Sequence, residues 1–514
     1  MDKRLARFAI ITTLAFIVSR LLGLLRDQII VAHTGANYQF SAYVLAMQIP
    51  DTIFVLLSGG ALASTFIPKF LEVKGNKGER YALKLAKDIL LVIGIGTLIT
   101  CTLIWLLTPY IVDYVLLRGS NDPRVPQLTS ELLRLVLLQP IFLSLSTVAT
   151  SILQSYEKFL IPAIAPIFYN LSIIASAIFL YPMFGMIGIA SGVVIGAMLF
   201  LLLHIPQLAR LGLSKGLRIS SLSCEVKDIL LHMVPRLFCQ ATIQINLLIA
   251  VAFASRIGPA EVAAFRLAWV VFFLPISVFS ASIGTVTLPR LSQNAVEREL
   301  ESFRRLLQSS ITTVTFIILP ASIGLGLIST QVIRLLYEHG KFGRSDTIAT
   351  ASILSLMSLG MVGYGMLDLL PRASYALSKT LPPVISSLVG TICNISIVEL
   401  LISRMGIEGV VIGFITSALV NSTILIIYLS VNIGNLLDRT FFISIGKQIF
   451  ASASIVPVIY VTQQFASSNL FLQVLAPVTC GLIVYVLVSV MFRQKELEII
   501  VRSLIPEKIL ERVS

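Results

Sequence analysis

Apolar residues run in long blocks, each roughly the 20 residues a helix needs to cross a bilayer, and short polar segments separate them along the whole chain. Fourteen blocks stand out, near 8–32, 40–68, 88–112, 129–154, 159–181, 185–208, 228–254, 262–289, 307–329, 348–376, 382–403, 407–431, 442–463 and 470–492. Pro50, Gly59-Gly60, Pro235 and Pro275 interrupt some of them, which membrane helices tolerate when neighbours resatisfy the backbone. The pattern predicts an all-α polytopic membrane protein with fourteen transmembrane helices.

The polar segments alternate in charge. Lys69, Lys74, Lys77, Arg80, Lys84 and Lys87 follow the second block, and Arg210, Lys215, Arg218 and Lys227 follow the sixth. Arg290, Arg298, Arg304 and Arg305 follow the eighth, diluted by Glu297, Glu299 and Glu301. Segments 182–184 and 464–469 carry no charge. Basic loops stay cytoplasmic, so an even number of spans puts both termini on that side. The mixed, amphipathic tail from Arg493 to Ser514 reads as a surface helix.

One spacing repeats. Lys158 and Lys379 are 221 residues apart, as are Pro162 and Pro383, Gly185 and Gly406, Gly188 and Gly409, and Gly192 and Gly413. An even number of helices lies between the copies, so the halves are parallel repeats related by a pseudo-two-fold axis along the membrane normal. The expected division is a six-helix lobe over 1–220, a second over 221–435, and two further spans with the tail over 436–514. In transporters of this kind the substrate site lies between lobes that rock.

Composition agrees and narrows the chemistry. Of 514 residues, 56% are hydrophobic and only 13% charged, about half the charge of a soluble domain. The net charge of +13 is spread between apolar blocks, so it marks cytoplasmic loops and not a nucleic-acid surface. The five cysteines and four histidines are dispersed without metal-ligand or CxxC spacing. No Walker loop, HExxH or GxSxG occurs, and no loop holds a carboxylate pair spaced for a metal-dependent glycosyltransferase. A membrane enzyme acting on a polyprenyl lipid is therefore disfavoured. The basic N-terminus precedes an apolar block longer than a signal sequence, and is read as a retained first helix.

The chemistry concentrates in the first helix, at Ser19-Arg20-Leu21-Leu22-Gly23-Leu24-Leu25-Arg26-Asp27. At about 100° per residue, Ser19, Gly23, Asp27, Arg20 and Arg26 fall in one arc of roughly 120°. A charge at mid-bilayer costs roughly 2.5–3.5 kcal/mol and normally faces a bundle interior or water-filled cavity. The bland alternative is snorkelling with an Arg20–Asp27 pair. Two arginines against one aspartate leave a positive surplus, which fits a cationic lumen for an anionic substrate. Arg236 and Arg266 are further lumen candidates, with Gln240 and Gln244 on the Arg236 face and Asp51 as a counter-ion. Asp368 and Arg372 are expected to form a local ion pair, Glu399 to sit at the interface, and Asn170, Asn394 and Asn421 to bridge helices.

Ser19-Arg20-x-x-Gly23-x-x-Arg26-Asp27 resembles the first-helix signature of the MurJ (MviN) lipid II flippase family of the MOP exporter superfamily. The stretches Leu153-Gln154-Ser155-Tyr156-Glu157-Lys158-Phe159-Leu160-Ile161-Pro162, Tyr337-Glu338-His339-Gly340-Lys341-Phe342, Arg372-Ala373-Ser374-Tyr375-Ala376-Leu377-Ser378-Lys379-Thr380 and Ile283-Gly284-Thr285-Val286-Thr287-Leu288-Pro289 are similar to further family motifs, in the same order. The resemblance implies a multi-pass protein of the bacterial inner membrane that moves lipid-linked peptidoglycan precursor outward through a cationic central cavity. It implies that Arg20 and Arg26 bind substrate, supported by Ser19 and Asp27, with no cofactor beyond a coupling ion or the membrane potential. The partners it implies are the polyprenyl-diphosphate-linked saccharide and the bilayer, around a monomeric protein.

Three positions depart from the family pattern. Pro50-Asp51-Thr52-Ile53-Phe54-Val55 lacks the usual arginine, Ser41 replaces an aspartate, and Val270 occupies the place of an arginine before the eighth-span proline. Arg266 lies one turn earlier on the same face. These departures keep open a flippase for another polyprenyl-linked sugar, such as a capsule or surface-polysaccharide unit. A multidrug or cation antiporter would want acidic cavity residues and fits less well.

Overall fold

The computed structural model describes residues 3–58, 61–117, 122–213, 224–465 and 469–504. Every regular element among them is helical. The chain groups into two compact units, Met1–Ala263 with His339–Gly343, and Ala264–Glu338 with Arg344–Ser514.

The first unit holds α1 (Lys3–Thr34), α2 (Tyr38–Ser58), α3 (Ala61–Lys77), α4 (Glu79–Ile111), α5 (Arg124–Val136), α6 (Leu138–Ser155), α7 (Leu160–Phe179), α8 (Tyr181–Phe184), α9 (Met186–Arg210) and α10 (Cys224–Ile257). Phe66, Phe70, Ile89, Val148, Ile152 and Met233 join α3, α4, α6 and α10 in one buried cluster. The basic end of α3 is tied down locally. Lys77 pairs with Glu225 at 2.5 Å, Lys69 with Asp228 at 3.7 Å, and Lys74 lies 4.0 Å from the centroid of the Tyr156 ring. Tyr156 donates to Glu79 at 3.0 Å. Burial, then the Glu79 carboxylate, pushes its phenol up to about 12. The contact grouping keeps α10 with the first unit, whereas the sequence repeat begins the second lobe at residue 221.

The second unit takes in most of α11 (Pro259–Pro275), then α12 (Ala281–Val296), α13 (Leu300–Leu327), α14 (Ser329–Tyr337), α15 (Arg344–Ser358), α16 (Met361–Ala376), α17 (Leu381–Met405), α18 (Ile407–Ile433), α19 (Arg439–Ala453), α20 (Ile455–Gln464), α21 (Leu470–Met491) and α22 (Lys495–Leu504). The tail helix α22 does not lie free on a surface. Leu497 and Ile500 pack on a cluster containing Phe316, Ile455 and Tyr485, Ser444 donates to Glu496 at 2.5 Å, and Lys447 donates to the Phe492 carbonyl at 3.0 Å.

Among the described residues, ten helices are long and apolar enough to cross a membrane, or eleven when the pair α15–α16, bent by 50°, counts as one span. Their outer faces carry exposed Trp105, Leu106, Leu482 and Leu487, a surface for acyl chains. The protein is a multi-pass membrane protein. Several apolar blocks are not single rods. The block near 40–68 divides into α2 and α3, with Gly59 and Gly60 outside the described residues; that near 262–289 carries a π-helical turn, Ile276–Ser280, directly after Pro275. Proline removes a helix donor and crowds the preceding turn, which such a turn absorbs.

The 221-residue repeat is present in the backbone. Lys158 N donates to Leu153 O and Lys379 N to Ser374 O, both at 2.9 Å. Glu157 and Ser378 both take the left-handed conformation, at φ 57° and 59°. Gly185 and Gly406 end their loops at φ 58°, ψ −142° and φ 55°, ψ −128°. A Cβ on Gly188 would meet Leu180 O at 2.5 Å, and one on Gly409 would meet Leu401 C at 2.9 Å. Each numbered pair differs by 221, so the small residues serve the same close helix approach twice.

Candidate functional site

The first unit gathers its intramembrane polar groups where α1 meets α7. Ser19, Gly23 and Arg26 lie four and three residues apart, so they share a face of α1. Asn170 on α7 stands against that face. Its Nδ2 donates to the Ser19 carbonyl at 3.3 Å, to the Ser19 hydroxyl at 3.4 Å and to Pro166 O at 3.0 Å. Its Oδ1 accepts from Nη1 of Arg26 at 3.3 Å and would lie 3.9 Å from a Cβ on Gly23. Glycine at 23 thus leaves room for the amide.

Arg26 is neutralised by its neighbour in sequence. Its Nε lies 2.9 Å and its Nη2 2.8 Å from Oδ1 of Asp27. The side chains are 18% and 13% exposed, which makes this a partly buried, charge-assisted pair. Asp27 therefore pairs with Arg26; the alternative sequence reading had set it against Arg20. Arg20 is exposed, as are Leu21 and Leu25 on the opposite side of α1.

A second polar group lies close by. Asp51 follows Pro50 inside α2 and accepts from Nε2 of Gln139 at 3.2 Å. The same Nε2 donates to the Tyr169 hydroxyl at 3.2 Å. Tyr169 precedes Asn170 on α7 and has both Asp51 and Arg26 among its electrostatic neighbours. Tyr43 on α2 is an electrostatic neighbour of Arg26 too. Four helices, α1, α2, α6 and α7, so contribute to one polar seam. Gln139 and Tyr169 were not among the sequence candidates, since a single amide or phenol in an apolar block carries no periodic signal.

The other candidates are separate. Arg236 falls in α10, but its side chain lies outside the described residues. Arg266 is on α11 in the second unit, half-buried between buried Phe265 and Leu267. Nearby Trp269 packs against Phe273 at 4.9 Å, Phe414 at 5.4 Å and Tyr364 at 5.6 Å between ring centroids. Asp368 and Arg372 form the expected pair at 3.1 Å, and Arg372 also donates to Thr285 at 2.8 Å. Glu399 is exposed. Among the described residues no group of His, Cys, Asp and Glu is placed to hold a metal ion.

A family model described as "Lipid II flippase MurJ" matches residues 30–481. The chain belongs to the MurJ family. This is a transporter family of the MOP superfamily and not an enzyme family. A MurJ-family relative from Thermotoga maritima, described as a probable lipid II flippase, is 27% identical over 496 residues, covering 95% of this chain and 98% of its own. The lipid II flippase MurJ of Burkholderia cenocepacia is 26% identical over 384 residues, covering 73% and 74%. A solved structure of a lipid II flippase MurJ in an inward closed conformation aligns with a TM-score of 0.78 at 25% identity, over 94% of this chain and 99% of that one. An inward-facing multidrug resistance transporter of the MATE family aligns at 0.67 and 18% identity, over 82% and 98%, which extends the likeness of fold alone.

Proposed function

We propose that the protein flips lipid II, the polyprenyl-diphosphate-linked peptidoglycan precursor, from the inner to the outer leaflet of the bacterial cytoplasmic membrane. Family membership supports the reaction class, and the Arg26–Asp27–Asn170 arrangement supports the ligand chemistry. A guanidinium has five N–H donors in a rigid fork. Asp27 takes two of Arg26's and Asn170 one, leaving one N–H on each terminal nitrogen. Two parallel N–H groups match two oxygens of a phosphate. Asp27 fixes the plane of the fork and Arg20 adds a second guanidinium on the same helix. Ser19 and Asp51 hold the seam, and Arg236 and Arg266 are the further cations of the proposed path.

In this reading fourteen helices form two six-helix lobes with two added C-terminal helices, both termini are cytoplasmic, and the monomer works by alternating access. The lipid tail stays in the bilayer while the diphosphate crosses. The membrane potential biases a carrier with net positive charge, at about 2.3 kcal/mol per charge per 100 mV.

The deciding experiment replaces Arg20 and Arg26 by alanine, singly, in cells that depend on this protein. Export of precursor should fall and lipid II should accumulate in the inner leaflet. Normal growth and export in both variants would remove the proposed role. The missing arginines near Asp51 and at Val270 support one other reading, a flippase for a different polyprenyl-linked sugar; depletion would then trap a surface-polysaccharide intermediate instead.

A further inference from the structure

A cavity of about 260 Å³ opens where α6 and α9 end and α7 begins, lined by Glu157, Lys158, Phe159, Leu160, Gln207 and Arg210. Local backbone chemistry assembles it. The left-handed turn at Glu157 and the Lys158 N to Leu153 O bond stop α6 and reverse the chain. Lys158 and Phe159 are thereby carried to the start of α7, beside Arg210 in the last turn of α9. The first N–H groups of α7, on Leu160 and Ile161, have no partner within the helix and add partial positive charge.

The lining combines two features that a water-soluble ligand does not need together. Lys158 and Arg210 against Glu157 leave one net positive charge. Leu160, the first residue of a helix long and apolar enough to cross a membrane, is 45% exposed on the same rim. The geometry points to a binding site for an anionic phospholipid, its singly charged phosphodiester between Lys158 and Arg210 and its acyl chains along Leu160. Charge selects the lipid class: one phosphodiester balances the rim, whereas a zwitterionic headgroup brings a further cation toward Lys158 and Arg210. The site stands apart from the Arg26 seam, since Leu160 and Asn170 are about 15 Å apart along α7 at 1.5 Å per residue.

The internal repeat supplies a control. The same cap forms in the second unit around Ser378 and Lys379. At the 221-residue offset, however, Ser378 replaces Glu157, Thr380 replaces Phe159, Tyr428 replaces Gln207 and Val431 replaces Arg210. The net charge is the same, but one cation stands where the first unit has two, so a phosphodiester there would be held from one side alone and the second unit lacks the site.

The test uses the full-length protein in nanodiscs of phosphatidylethanolamine doped with a photoactivatable phosphatidylglycerol, followed by peptide mapping. Label should appear on the peptide carrying Phe159 and Leu160. It should fall about fivefold for each cation removed in K158Q and R210Q, survive in the K158R/R210K double variant, and be unchanged in K379Q. A photoactivatable phosphatidylethanolamine should label that peptide weakly, and free glycerol phosphate should not compete. Equal labelling by both lipids in the wild-type protein overturns the proposal without recourse to any variant. So does unchanged label in K158Q and R210Q, loss in K158R/R210K, an equal loss in K379Q, or competition by glycerol phosphate, which would make the ligand a soluble phosphate.

Discussion

Arg26 on α1 donates through Nη1 to Oδ1 of Asn170 on α7 at 3.3 Å, across 144 positions of sequence. With Asp27 on the other edge of the guanidinium, the fork is held in one plane by two different helices. An ordered guanidinium meets a phosphate without first losing the freedom of a long side chain, so its binding is stronger for the same contacts.

Asn170→Ala should therefore lower transport by roughly tenfold, the size expected when a hydrogen bond to a charged group is lost, while protein level and melting temperature stay near wild type. Asn170→Asp should be worse, because a second carboxylate takes the N–H groups meant for phosphate. Precursor translocation in spheroplasts measures both. Wild-type transport by Asn170→Ala would show that Asp27 alone orients Arg26.

Helix packing gives a sharper structural prediction. A Cβ on Gly192 would overlap the side chain of Ser176, while one on Gly188 would strike the Leu180 backbone. Gly192→Ala should cost about 1–3 kcal/mol, and Ser176→Gly in the same chain should restore most of it. No side-chain change should restore Gly188→Ala. Melting curves at one scan rate separate the two cases.

These contacts show what the sequence could and could not disclose. Glycine and proline at a constant offset were visible because backbone constraints leave few residue types free at caps and close approaches. Apolar blocks were visible because a bilayer demands them. Gly59-Gly60 and Pro275 marked interruptions of their blocks, but the division of the 40–68 block into two helices and the π-helical form of the turn after Pro275 were not legible, because both sides of each break are equally apolar. The Arg26–Asp27 pair was hidden too: neighbours on a helix point about 100° apart, and only a long arginine closes that gap. Asn170 was foreseen as a bridge between helices, but an asparagine that joins two backbones and one that aims a guanidinium look identical in a single sequence. The tail was legible as amphipathic, while its apolar face proved to rest on the protein around Tyr485.

Asp438 tests the electrostatics of the segment before α19. Thr440, the Phe441 N–H and Gln308 donate to its carboxylate at 2.6, 2.8 and 2.7 Å, and Arg304 lies 3.6 Å away. The Thr440 hydroxyl first, then the Phe441 N–H, lower its pKa from 3.8 to about 2. A depressed carboxylate contributes stability above its unfolded value and loses it as pH falls toward the folded one. Asp438→Ala should therefore lower the melting temperature by a constant amount from pH 8 to about 4. The gap should shrink between about 4 and 2. A gap that widened as pH fell would contradict the sign.

The repeat itself can be tested at two glycines. Gly185 and Gly406 occupy φ 58°, ψ −142° and φ 55°, ψ −128°, a region reserved for glycine that costs other residues about 1–3 kcal/mol. A Cβ at either would find nothing within 4 Å, so replacement by alanine adds no clash and isolates the backbone cost. If the 221-residue offset marks true structural copies, Gly185→Ala and Gly406→Ala should destabilise by similar amounts. Because the residues belong to different compact units, the double variant should lose the sum. Unequal losses would mean that one loop relaxes where the other cannot, and the two halves would share a sequence spacing without sharing a mechanical role.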